Sequence, residues 1–145
     1  MKKQITSAFS LIELTLAIGI AAVCLLAVIG LVPVAVLTTR NATSQTAATN
    51  IMAAVIADLR ATPKSNNTSK QFAITFGTPK TLYFDNTGQF STSLGTNSRY
   101  QVSVRWSPSG SIPLRYVDVT VTWPAAATAA NATGSTEMFA AFDRN

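Results

Sequence analysis

Glu13 is the only acidic or basic side chain in the apolar run from Phe9 to Thr39, FSLIELTLAIGIAAVCLLAVIGLVPVAVLTT. A carboxylate in an otherwise apolar spanning helix costs at least ~2.5 kcal/mol, so such an acid is a functional candidate by default. Its chemistry would be ion pairing, since it lies one helical turn after Phe9, near the positive end of the helix dipole. Little else in the chain is suited to chemistry. There is no His, which removes Ser-His-Asp and Cys-His catalysis and His-ligated metals. The one cysteine, Cys24, sits inside the apolar run and reads as a small packing residue, with neither a disulfide nor a Cys-based metal site available. Asp85, Asn86 and Gly88 lack the convergent acidic set of a Ca²⁺ loop and read as turn chemistry. No catalytic residue, cofactor or metal is therefore expected, and the chain does not read as an enzyme.

The elements that would place Glu13 follow from hydropathy. Residues 1–8, MKKQITSA, form a short basic leader, and residues 9–39 form a transmembrane helix longer than the ~20 residues a bilayer needs. An ordinary secretory h-region is shorter, about 7–15 residues. Lys2 and Lys3 bias the N-terminus to the cytoplasmic side and send the rest of the chain outward. Pro33 is expected to kink or locally melt the helix near Gly30, because it removes a backbone bond and crowds the preceding turn. Gly19 and Gly30 allow close approach by neighbouring helices.

Beyond Thr39, residues 40–62 extend the helix as an amphipathic segment. Ala48, Ile51, Met52, Val55 and Leu59 recur at helical spacing and predict a buried stripe. Pro63 predicts a stop around residues 60–62. Residues 63–145 then predict a β-sheet domain. After the polar loop PKSNNTSK the period becomes two, and strands are expected at 71–76, 80–84, 98–106 and 115–123. The second pair is the clearest: Tyr100, Val102, Val104 and Trp106 alternate with polar residues, as do Val117, Val119, Val121 and Trp123. Residues 107–114 suit a hairpin loop, 125–135 a loop, and 137–142 an edge strand. The expected fold class is α+β, a long N-terminal helix packed on a small antiparallel sheet, because a single-faced sheet this small needs a cover. Trp106 and Trp123 each end an apolar strand face and read as sheet-end packing.

Net charge is +5. Outside the leader the basic residues are dispersed, from Arg40 to Arg144, with no adjacent pair. A solvated surface is the reading, and no nucleic-acid partner is expected.

The segment SAFSLIELTLAIGIAA resembles the type III signal of type IV pilins and type II secretion pseudopilins. That signal is a short basic leader, a small residue, Phe, and a hydrophobic helix with Glu at the fifth mature position. The resemblance implies that prepilin peptidase cuts between Ala8 and Phe9, that Phe9 becomes N-methylated, and that Glu13 sets register during assembly with other pilin or pseudopilin subunits. The usual residue before the cut is Gly, and Ala8 is a small substitute. ATNIMAAVIADLR and VDVTVTW are similar to the minor pseudopilin I and minor pilin V group. The block through Pro33 also resembles the Verru_Chthon cassette protein B family of pilin-like proteins from Verrucomicrobia. The resemblance implies a pilin-like fold and a minor subunit of a type IV pilus or type II secretion filament. The subunit would be single-pass in the bacterial inner membrane and in contact with its lipid, N-terminus cytoplasmic and C-terminal domain periplasmic. Two other classes stand beside it: a pilin-like tip protein binding DNA or a surface ligand, and an unrelated single-pass, signal-anchored periplasmic protein.

Overall fold

A computed structural model of the chain describes residues 10–107 and 114–143. Ala8 and Phe9 lie outside the described residues. The fold is α+β, one long helix followed by five strands. Helix α1 runs Leu11–Ala61, 51 residues. Two compact units divide the chain at Arg40 and Asn41.

In the first unit, every described side chain is exposed. This part of α1 is long and apolar enough to cross a membrane. Leu, Ile and Val open to the surroundings along this length require lipid or protein as cover. The helix begins on the Ser10 carbonyl, which accepts the N–H groups of Glu13 (3.0 Å) and Leu14 (3.1 Å). It is not melted at Pro33, since the residues on both sides remain helical. The ring removes only the bond that the Ile29 carbonyl would have accepted.

In the second unit, α1 buries Ala48, Ile51, Met52, Val55 and Leu59, the stripe read from spacing, together with Ile56, Ser44 and Asp58. The helix ends as expected before Pro63. The Thr62 hydroxyl donates back to the Asp58 carbonyl at 2.8 Å, which occupies an orphan acceptor of the last turn.

The sheet contains β1 (Lys80–Phe84), β2 (Phe90–Ser91), β3 (Tyr100–Trp106), β4 (Leu114–Trp123) and β5 (Gly134–Asp143). Its order is β2-β1-β3-β4-β5, and every neighbouring pair is antiparallel. The inner face carries Leu82, Phe84, Val102, Val104, Val117, Val119 and Val121, all buried in one core with the helix stripe. Phe76, Trp106 and Phe142 close one end of that core as an aromatic cluster, and Tyr100 packs edge-on to Trp123.

Three sequence expectations need correction. Residues 71–76 are not a strand: Ala73 adopts φ +50°, and only an isolated bridge joins Thr68 to Thr75. Phe72, Ile74 and Phe76 are nevertheless buried. Alternation therefore reported which side chains point inward, while the backbone N–H groups that a ladder would use go elsewhere, as described below. A two-residue strand at Phe90–Ser91 was not expected; it is built by the Asp85 turn. The last strand is longer than 137–142, running Gly134–Asp143 along the whole of β4, and a short 3₁₀ turn at Ala129–Asn131 interrupts the loop before it.

Candidate functional site

Glu13 sits in the first turn of α1, on the exposed part of the helix. There the positive end of the helix dipole favours an anion. A shallow apolar depression runs along Thr15, Leu16, Gly19, Ile20, Val23 and Cys24. Gly19 opens it, because no heavy atom lies within 4 Å of where its Cβ would stand. Cys24 lines this depression and is free and exposed. Gly30 likewise has open space where a side chain would be. Gly30 and Pro33 lie about 25–30 Å along the axis from Glu13, taking 1.5 Å per residue. The structure therefore does not bring these sequence-derived residues together as a pocket; it strings them along one helix.

Thr38, Thr39, Thr46 and Thr49 follow. Each hydroxyl donates to the carbonyl four residues back at 2.9–3.0 Å. Such bonds satisfy a hydroxyl without water, which suits a helix leaving an apolar medium.

Among its described residues the β unit carries no comparable chemical constellation. Asp85 Oδ1 accepts from Thr87 N–H (2.8 Å), Thr87 Oγ1 (2.7 Å) and Gln89 N–H (2.9 Å), with Gly88 at φ +83°. The Thr87 hydroxyl, then the Gln89 amide, hold its carboxyl below the ordinary Asp range. This is an Asx-type turn with its acceptor fully occupied, as read from sequence. Among the described residues no group of His, Cys, Asp and Glu is arranged to hold a metal ion.

One structural carboxylate was missed. Asp58 is buried on the helix face, and its two oxygens accept the backbone N–H groups of Gln71 (3.0 Å) and Phe72 (2.9 Å). The Ser69 hydroxyl accepts the N–H of Ile74 at 3.0 Å. These side chains take three of the donors that a strand at 71–76 would have given to a ladder, while the Phe76 N–H donates to the Asn67 carbonyl at 2.9 Å. The signal was available: Asp58 falls among Val55, Ile56 and Leu59 near the helix end, where an acid on an apolar face must find donors.

On the solvent face of the sheet, Arg105 pairs across strands with Asp118, and Glu137 stands opposite Thr120, diagonal to Asp118. The nearby Asp118 charge pushes the Glu137 carboxyl above the ordinary Glu range, and the Arg105 charge opposes this. A carboxyl raised by folding binds more protons folded than unfolded. Its contribution is therefore fully present below pH 4.5 and is lost as pH rises through the folded value. Glu137→Gln should raise the unfolding midpoint slightly at pH 7 and flatten its fall between pH 4 and 7. Thermal unfolding across that range checks this, and parallel profiles for the two proteins would contradict it.

The chain matches no protein-family model, and no curated protein or solved structure is significantly similar to it.

Proposed function

We propose that the chain is a pilin-like structural subunit, a minor pilin or pseudopilin, of a type IV pilus or type II secretion filament. Prepilin peptidase cuts between Ala8 and Phe9, and N-methylated Phe9 opens the mature chain. The subunit is held in the inner membrane by the apolar half of α1, N-terminus inside, and assembles with other subunits through that helix. The observation that carries the reading is one helix with two kinds of surface. Its first unit is apolar and wholly exposed, with a lone carboxylate in the first turn, and its second is half-buried over an antiparallel sheet.

Such a helix supports assembly for a simple reason. Once in a bundle, the buried Glu13 charge needs a cation, and cleavage creates an amine one turn away on each subunit. An amine from one subunit on the Glu13 of the next neutralises both and fixes their axial register. The depression at Gly19 admits a neighbouring helix closely.

Affinity isolation of the full-length chain from its own cells, after chemical cross-linking in the membrane, tests this reading. Other subunits with the same type of N-terminal helix should be recovered, along with prepilin peptidase. Recovery of the chain alone, under conditions where those subunits cross-link to one another, would overturn it.

A further inference from the structure

The free side of β5 has a hydrogen-bonding pattern that can be worked out from the ladders. Ser107 N–H donates to the Tyr116 carbonyl at 3.0 Å, in register with the β3–β4 ladder. Backbone groups of successive residues in an antiparallel strand alternate sides. Even-numbered residues of β4 therefore bond to β3, and odd-numbered ones turn to β5. The other end of the sheet gives the same alternation independently. There Asp85 N–H donates to the Gln89 carbonyl, so β1 turns its even-numbered residues to β3. Carried through Val117↔Ala140, Val119↔Met138 and Val121↔Thr136, the rule assigns the even-numbered residues of β5 to β4. Ser135, Glu137, Phe139 and Ala141 are left with N–H and C=O directed at the open edge. Among the described residues, no hydrogen bond reaches those groups.

Proteins that keep an edge unpaired shorten it, bulge it, or place Pro or Lys on it. The opposite edge of this sheet, β2, is two residues long. β5 has ten residues, an unbroken register with β4, and neither Pro, Lys nor Arg. Phe139 is 74% exposed and Met138 39% exposed. The only charge in its middle is Glu137, which shares the solvent face with Asp118 against a single Arg105.

We propose that the edge of β5 is a strand-addition site for an extended segment of another protein, one that places a basic side chain across from Glu137 and an apolar one beside Phe139. The peptide backbone is what four outward N–H and C=O pairs recognise, and alternate side chains supply selectivity. The unbalanced carboxylate at the edge selects a cation, and the exposed ring gives it an apolar neighbour. Phe139 and Glu137 lie on the solvent face, so an added strand touches them without disturbing the core. The inference does not depend on filament assembly.

The test is amide hydrogen exchange on the full-length chain in detergent micelles, with a synthetic peptide of about twelve residues, alternating Thr and Val, with one central Lys. Without peptide, the amides of Glu137, Phe139 and Ala141 should exchange fast while those of Met138 and Ala140 are slow. With peptide, the fast set should become protected. A peptide with Glu in place of the Lys should bind about tenfold more weakly, and Glu137→Lys should reverse that preference. Phe139→Pro removes an outward donor but no bond to β4, so it should keep the fold and abolish binding. If that variant fails to fold, the Glu137→Lys reversal decides. Fast exchange at saturating peptide would overturn the proposal, as would equal binding of a peptide N-methylated at alternate residues. Protection that grows with chain concentration in the absence of peptide would overturn it in favour of a second copy.

Discussion

Replacing Asp58 by Ala should lower the unfolding midpoint of the β unit by about 8–30 °C. The carboxylate is buried near the end of α1 and holds the N–H groups of Gln71 and Phe72 at 3.0 and 2.9 Å. Hydrogen bonds to a charged group contribute about 1.5–3 kcal/mol each, and orphaned buried donors carry their own desolvation cost. A net loss of about 2–4 kcal/mol follows, and in a unit of this size each kcal/mol moves the midpoint by about 4–8 °C. The turn that Asp58 holds also carries Phe72 and Ile74 into the core, so its release exposes apolar surface as well. Asp58→Asn keeps one acceptor and should fall between the two. Fluorescence of Trp106 and Trp123, which both sit in the β unit, follows the transition without interference from the apolar half of α1. A midpoint for Asp58→Ala within 2 °C of the native chain, taken as roughly 0.5 kcal/mol or less, would refute the clamp.

If the chain is the filament subunit proposed above, Glu13→Val should abolish incorporation into the filament while leaving cleavage and membrane insertion intact. Removing a carboxylate makes the apolar half of the helix more apolar, so insertion becomes easier. What is lost is the partner for a neighbour's N-terminal amine. An unpaired buried charge costs several kcal/mol, so recovery of other subunits with the chain should fall at least about tenfold. Glu13→Gln should fail similarly, which separates charge from shape, and Glu13→Asp should retain part of the native level. Unchanged recovery with Glu13→Val would refute the register role.

The sequence was most informative where a periodicity had one physical cause. Ala48, Ile51, Met52, Val55 and Leu59 are buried, because a helix can bury only one face and the spacing identifies it. Val102, Val104, Val117, Val119 and Val121 are fully buried for the equivalent reason in strands. It was misleading at 71–76, where inward alternation is produced by a turn and not by a ladder. The difference is decided by Asp58 and Ser69, which compete for backbone donors from outside the segment, and local periodicity cannot report that. The extent of β5 was hidden because Gly134 is a poor strand former and Ser135 and Thr136 continue a polar Ala/Thr/Asn-rich stretch; pairing with Trp123, Thr122 and Val121 respectively holds the three in the sheet. Gly134 is required in that position: the Trp123 indole lies over it, 2.6 Å from where a Cβ would stand to Cε2. As for the candidate site, residue type and spacing sufficed to single out Glu13. Its exposure on a helix open to lipid or protein is what the structure adds.

The central claim is that residues 1–8 are a leader and that Phe9 opens a mature subunit. Mass spectrometry of the N-terminus of the chain, isolated from cells with and without prepilin peptidase, tests it most directly. With the peptidase, the account predicts a chain beginning at N-methylated Phe9 and still containing Glu13 at the fifth position. Without the peptidase it predicts an intact leader. A chain that begins at Met1 in both cells, or is cut far from Ala8–Phe9, would contradict it.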